Sequence, residues 1–287
     1  MDSKPFNELA ASLAAPAPGQ AYALVDGALC TDLRLRAPLG VDVARLPVPG
    51  IGDEASMAAL PMLMAWPDDA GLRDWLLQRT MLWAEERHAA TWLRSSAGLQ
   101  ALAHRLGLGI AALLDDGTEV LLRVADARVL PAMHDALEPA QRGSLFGCIQ
   151  DWWYVDREET LQSLPMDSGP ATSAPPAASF PLTLTQSQLD SLLQAAEPDF
   201  VMQLLRDSYP GTLDRLPRAR RHAFVRRQID AAQSWGLERV NDLASFCVLV
   251  LQHGEDFADR LAWQGLRERV RSGRMSWLEA LAQGERT

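Results

Sequence analysis

The sequence predicts an α+β fold in two parts: a mixed α/β N-terminal lobe with a small sheet, followed by an all-α C-terminal lobe. Three observations predict it. In the first half, short apolar runs of strand length alternate with stretches of helical spacing. Beyond Leu184 the apolar residues recur almost only at helical spacing. Between the two lies Gln162–Pro181, reading QSLPMDSGPATSAPPAASFP, whose prolines sit among Ser, Ala and Gly and give a composition unsuited to burying a core. The expected organisation is therefore an α/β domain over 1–161, a linker over 162–181 that limited proteolysis should cut to leave two folded fragments, and a helical domain over 182–287.

Each element has a local reason. Ala21–Asp26 is an apolar run ending at Asp-Gly, a buried strand. Leu60–Trp66 is a second such run, stopped by Pro67, and Ala89–Leu93 a third. Leu72–Arg87 places Trp75, Leu76, Arg79, Leu82 and Trp83 at near-helical spacing, and Leu99–Leu106 carries one apolar face. Ile110–Leu114 and Glu119–Val124 flank Asp115-Asp116-Gly117-Thr118, a hairpin in which Asp-Gly favours a two-residue turn. Asp126 is placed to N-cap a helix running through Leu137, Pro139 opens another helix, and Cys148–Val155 reads as a closing strand. Trp152 and Trp153 must point to opposite faces of that strand, so if Trp152 is core, Trp153 needs a second layer or a partner. In the second half, helices are expected over Thr185–Ala196, Phe200–Tyr209, Pro217–Trp235 (ending at Gly236), Leu237–Gln252, Arg267–Arg271 and Met275–Ala282.

Composition narrows the function classes. The 287 residues carry 27 basic and 37 acidic side chains, a net charge of −10, and this excess lies entirely in residues 1–180. Nucleic acid is an unfavourable partner for such a chain. Lys4 is the one lysine; every other basic residue is arginine, whose planar, weakly hydrated head suits protein interfaces. Cys30, Cys148 and Cys247 are far apart and form no paired framework, as in a reducing compartment. No secretory leader pattern and no run of 18 apolar residues is seen, so the expected location is the cytoplasm, without membrane contact.

No catalytic signature emerges. Gly107-Leu108-Gly109-Ile110-Ala111-Ala112 fits the spacing G-x-G-x-x-A, but a helix precedes it and a strand follows, the reverse of a dinucleotide site. The five histidines have no metal-ligand spacing, and there is no nucleophile elbow or phosphate loop. Carboxylate pairs such as Asp68-Asp69 and Asp115-Asp116 are adjacent and diverge. The expectation is no catalytic residue, no metal and no cofactor; the alternative is a small hydrolase or transferase with a site assembled from distant residues. One charged cluster stands out: Arg218, Arg221, Arg226 and Arg227, with Arg215 and Arg220 beside them, are either a solvated helix face or a surface for an acidic protein partner. Arg218 and Arg221 fall on one side of the expected helix.

An ordered set of motifs then carries a resemblance. Tyr22–Ala28 (YALVDGA), Leu122–Leu130 (LRVADARVL) and Gln141 through Leu145-Phe146-Gly147 to Trp152-Trp153 resemble the effector adaptor (chaperone) family of type VI secretion systems over roughly residues 20–155. The Leu184-Thr185-x-x-Gln188 start and the Trp235-Gly236-Leu237 break are similar too. Ala125, Ala127 and Cys148 depart from the family's usual aromatic, proline and proline. The resemblance implies a non-enzymatic adaptor that binds a toxic effector in the cytoplasm and loads it onto the VgrG spike or PAAR tip. Arg123, Arg128 and Trp153 join the arginine cluster as candidate partner contacts. Arg123 and Arg128 can equally bridge nearby carboxylates and hold the N-terminal fold together.

Overall fold

The computed structural model describes residues 4–30, 40–48, 50–51, 53–166, 180–257 and 260–284. They form two compact units, residues 1–195 and 196–287.

The first unit is built on a six-stranded antiparallel sheet. Its strands are β1 (Gln20–Val25), β2 (Val43–Arg45), β3 (Met62–Ala65), β4 (Ala90–Ser95), β7 (Ile149–Val155) and β8 (Leu161–Ser163), in the order β2-β3-β1-β4-β7-β8. A second sheet of three strands, β5 (Ala111–Leu114), β6 (Glu119–Leu121) and β9 (Leu182–Leu184), has the order β6-β5-β9. The central strands read as continuous apolar runs because both faces of the large sheet are covered. Tyr22, Leu24, Leu63, Leu93 and Trp152 belong to one core, and their strand neighbours Ala23, Val25, Met62, Met64 and Trp92 to another. The strand period of two thus assigns alternate residues to two separate layers.

Helices α1 (Lys4–Ala14) and α3 (Ala70–Arg87) supply Leu9, Leu76, Met81 and Trp83 to one of these cores. Asp69 caps α3 by accepting from the Leu72 N–H at 2.8 Å. Arg94, only 5% exposed, holds α1 in place: its guanidinium donates to the carbonyls of Ser12 (3.0 Å) and Ala15 (3.2 Å), acceptors that the end of a helix leaves orphaned, and to that of Ala17 (3.3 Å) in the loop beyond. On the other face lie α4 (Leu99–Leu108), α5 (Leu130–Ala136) and α6 (Pro139–Phe146), which contribute Leu102, Leu106, Met133, Leu145 and Phe146. A short helix α2 (Glu54–Ala59) precedes β3 and is capped by Asp53. The β5–β6 turn is one residue longer than the expected two-residue form. Leu114 N–H reaches Thr118 O at 2.9 Å, and Gly117 takes φ +83°, the left-handed position of a three-residue hairpin loop.

The domain boundary lies later in the chain than the sequence places it. Of the expected linker, residues 167–179 lie outside the described residues, while Gln162 and Ser163 are in β8 and Leu164 is buried. Residues from Leu182 return to the first unit: β9 pairs in parallel with β5, and Leu182 and Leu184 enter its core. Buried Gln188 donates to Ala136 O at 2.8 Å and to Gln141 Oε1 at 2.7 Å. Proline-rich composition reports what a segment cannot bury; it is blind to a three-residue strand whose partner lies some seventy positions earlier in the chain. A protease site inserted within 167–179 and cleaved should therefore leave two fragments that co-elute on gel filtration under native conditions, held by β9. Separate elution would show that β9 contributes nothing to the first unit.

Two expected helices after Thr185 are one, α7 (Gln186–Ser208), with Pro198 inside it. Proline removes one helical donor, but Leu192 packs on the first unit's core, and Val201, Met202 and Leu205 are buried in the second unit's, so side chains on both flanks hold the helix. The second unit continues with a 3-10 turn (Thr212–Arg215), α8 (Arg218–Gln233), α9 (Val240–His253), α10 (Leu261–Arg271) and α11 (Trp277–Gly284). Gly236, at φ +80°, lets the chain leave α8, and Leu237 N–H closes on Ala232 O at 3.2 Å. Trp235, Phe246, Phe257, Trp263 and Trp277 meet in the core of this unit. Among the described residues, no helix is long and apolar enough to cross a membrane.

Candidate functional site

The first strand ends at Asp26, where the chain must turn. Asp26 is 3% exposed, and its Oδ1 accepts from Ala28 N–H (2.8 Å) and Leu29 N–H (3.2 Å), which fixes the Asp-Gly-Ala turn. Its backbone N–H donates to Ala89 O, and Ala127 N–H donates to His88 O at 3.0 Å, so the ends of β1 and β4 and the 126–128 loop are tied together. Arg123, just before that loop, links Asp26 to Asp126, and Arg128 binds Asp126 from the loop itself. Arg123 Nη2 donates to Asp26 Oδ2 at 2.8 Å, and its Nη1 lies 3.2 Å from Asp126 Oδ2. Arg128 binds Asp126 in a fork, Nε to Oδ1 at 2.9 Å and Nη2 to Oδ2 at 2.8 Å. Burial pushes the Asp126 carboxyl up, but hydrogen bonds from Arg128 and the charges of Arg128 and Arg123 outweigh it and hold the group below the usual carboxylate range. Two carboxylates and two guanidiniums so form one balanced cluster.

Asp126 does not cap a helix as the sequence suggests: α5 begins at Leu130 with Val129 at its N-cap, and no side chain caps it. The Asp126 oxygens face the two arginines and the Arg128 N–H instead. Asp26 is the member of the cluster that sequence reading missed. In the sequence its Asp-Gly marks the end of a strand, and its partner Arg123 lies 97 positions away.

The cluster closes one end of an apolar groove of about 360 Å³. Val48, Leu60, Ile110 and Leu122, each 5–6% exposed, form its floor. Leu121 stands on its wall at 58% exposure. Asp26 and Arg123 are the charged residues of its lining.

The remaining expected residues are not part of the groove's lining. Trp152 is fully buried in one core, and Trp153 is half-buried over the other, facing Trp92 across the β4–β7 pair, with the Arg94 guanidinium 5.9 Å from its ring. The second core layer packs against it. Arg221 is half-buried and engaged inside its own unit: it donates to Leu216 O at 3.1 Å and Asp214 Oδ1 at 3.0 Å, because the start of α8 brings it against the carbonyl end of the 3-10 turn. Arg227 forms an exposed pair with Glu255 at 3.2 Å. Arg218 and Arg226 are exposed, and Arg226 makes no ion pair among the described residues.

Gly107 and Gly109 have a packing reason for being glycine. A Cβ on Gly107 would strike Pro47 O, and one on Gly109 would strike the Leu145 side chain. Gly109 is the C-cap of α4 and the strand follows, as the order of elements implied. Gly107→Val should lower stability by about 1–3 kcal/mol through overpacking, read as a lower urea midpoint; an unchanged midpoint would remove the packing explanation. Among the described residues no group of His, Cys, Asp and Glu is arranged to hold a metal.

The class this architecture defines is an α+β unit with a doubly covered antiparallel sheet, followed by an all-α unit. Residues 21–144 match a protein family described as "Domain of unknown function (DUF4123)". The match takes in the Asp26–Arg123–Asp126–Arg128 cluster and every lining residue of the groove, and ends before Trp153 and the arginines of α8. No curated protein and no solved structure matches the chain.

Proposed function

We propose that the protein is a non-enzymatic adaptor that binds a toxic effector in the cytoplasm and delivers it to the VgrG or PAAR spike of a type VI secretion system. The observation that carries this reading is the ordered motif set from Tyr22 to Trp153, whose charged members gather into one cluster within the DUF4123 match. An adaptor needs a stable scaffold and at least two contact surfaces. The ion-paired cluster with its groove in the first unit is one candidate surface. The exposed part of the arginine-rich helix, Arg218 and Arg226, is a second. Arg123 and Arg128 then act mainly by holding the loop that shapes the groove.

Affinity purification of the full-length tagged protein from its native cytoplasm, followed by mass spectrometry, tests the reading. Recovery of a secreted toxin together with a spike protein is the expected result. Recovery of neither, under conditions where the bait is folded and abundant, overturns it. Turnover of a small substrate by the purified chain would favour a hydrolase or transferase instead.

A further inference from the structure

We propose that the groove beside the Asp26–Arg123 pair docks a protein segment bearing a bulky apolar anchor flanked by lysine or arginine. The proposal rests on the adaptor reading only for the identity of the natural partner; the chemistry of the partner comes from the groove itself.

The floor of the groove offers shape and apolar surface but little polar guidance. Both oxygens of Asp26 are already used, Oδ1 by two backbone N–H groups and Oδ2 by Arg123. A polar small molecule would find few unsatisfied partners there to orient it, whereas an apolar side chain needs none. At about 360 Å³ the cavity is at the small end of the ~300–1,000 Å³ span of ligand pockets, suited to an anchor side chain. The apolar surface also continues outward onto Leu121, which is more than half exposed on β6, an edge strand paired only with β5 among the described residues. A large exposed leucine adjoining an apolar cavity is the pattern of an anchor site surrounded by a water-excluding wall.

Charge decides what must flank the anchor. From Ala111 to Leu122 the hairpin carries Asp115, Asp116 and Glu119 and no basic residue. All three acidic residues are exposed. Glu119 and Leu121 are two apart on one strand and therefore share a face. Arg123, at the other end of the groove, is neutralised by Asp26 and Asp126, so a partner whose anchor packs against Leu121 meets the Glu119 carboxylate first and those of Asp115 and Asp116 farther along at the hairpin turn. Acidic flanks would be repelled there, and basic flanks attracted.

The test uses the full-length protein and two fluorescein-labelled synthetic peptides. Each has a Leu-Phe-Leu centre; one is flanked on both sides by lysines, its twin by glutamates. Binding is followed by fluorescence anisotropy at low and high salt. The lysine peptide should bind at least about tenfold more tightly than its twin, and the advantage should shrink as salt rises, because exposed charges are screened within roughly 8–10 Å. Leu121→Asp should weaken the lysine peptide at least about tenfold with an unchanged melting temperature, since the side chain is exposed in the free protein. Asp115→Lys with Glu119→Lys should reverse the preference between the twins. That reversal is a readout a merely misfolded variant would not give. Equal binding of the twins, binding of neither, or indifference to Leu121→Asp would overturn the proposal. So would self-association of the wild type that Leu121→Asp abolishes without any peptide binding, which would make the occupant a second copy of this chain. The adaptor reading fails separately: if neither toxin nor spike copurifies with the wild type while the lysine peptide still binds as described, the groove stands and the reading does not.

Discussion

Replacing Trp235 with alanine should destabilise the helical unit by about 3–5 kcal/mol, the range for removing a buried large aromatic side chain. The residue is 2% exposed and sits at the centre of an aromatic cluster. Its ring centroid lies 5.7 Å from that of Phe246, 5.9 Å from Trp277, 6.1 Å from Phe257 and 6.3 Å from Trp263. Edge-to-face contacts with Phe246 and Trp277 add to the burial. The Arg267 guanidinium lies 5.8 Å from the same ring. Alanine would leave a void bordered by four rigid rings, which cannot collapse to fill it. Total stabilities run to only ~5–15 kcal/mol, so the loss is a large share. Hydrogen exchange should show it locally, with protection lost in α8 and α9 while β1 and β4 keep theirs. Equal loss across both units, or none, would refute the assignment of Trp235 to a core belonging to the second unit. Trp235→Phe should recover part of the loss.

Asp126→Asn should cost about 2–4 kcal/mol. Asparagine keeps the shape but removes the charge that pairs with two guanidiniums, and breaking a buried pair from one side leaves the partners uncompensated. The figure sits below the usual ~3–5 kcal/mol because Arg123 is 42% exposed and Arg128 25%, so water takes over part of their solvation. The effect has a pH signature. The folded protein holds the Asp126 carboxyl below its ordinary value of about 3.9. Its stabilising contribution is therefore complete above that unfolded-state value and disappears as pH falls through the lower folded one. Urea midpoints of wild type and Asp126→Asn should differ by a constant amount from pH 5 to 7 and converge below about pH 4. A gap that stays constant down to pH 3 would mean that the carboxylate's charge is not what stabilises the loop.

Particular residues show how far sequence reading reached. The Ala21–Asp26 strand, the helix over Leu72–Arg87 and the 217–235 helix were legible because each carries its own period, stop signal or cap. The packing of Trp152 and Trp153 on opposite faces followed from strand geometry, though whether a partner or a second layer covered Trp153 did not. Helix α1 carries a local signal that sequence reading passed over, Phe6, Leu9, Ala10 and Leu13 at helical spacing; what no local pattern holds is its docking, since Arg94, some eighty residues away, reaches its terminal carbonyls. Sequence alone leaves Arg221 on a solvated helix face or a partner surface, because its contacts with Asp214 and the Leu216 carbonyl form only once the 3-10 turn has formed.

By itself, the sequence determined the α+β order of the lobes, the acidic character of the first and the identity of most helices, since periodicity, caps and charge are properties of neighbouring residues. The tertiary structure alone decided that Asp26 pairs with Arg123, that β9 returns to the first unit by pairing with β5 in its three-stranded sheet, and that an apolar groove opens beside an acidic hairpin. Each of these joins residues tens of positions apart. Such contacts leave no local period or spacing in the chain, and they form only when burial of the two sheet faces brings the segments together.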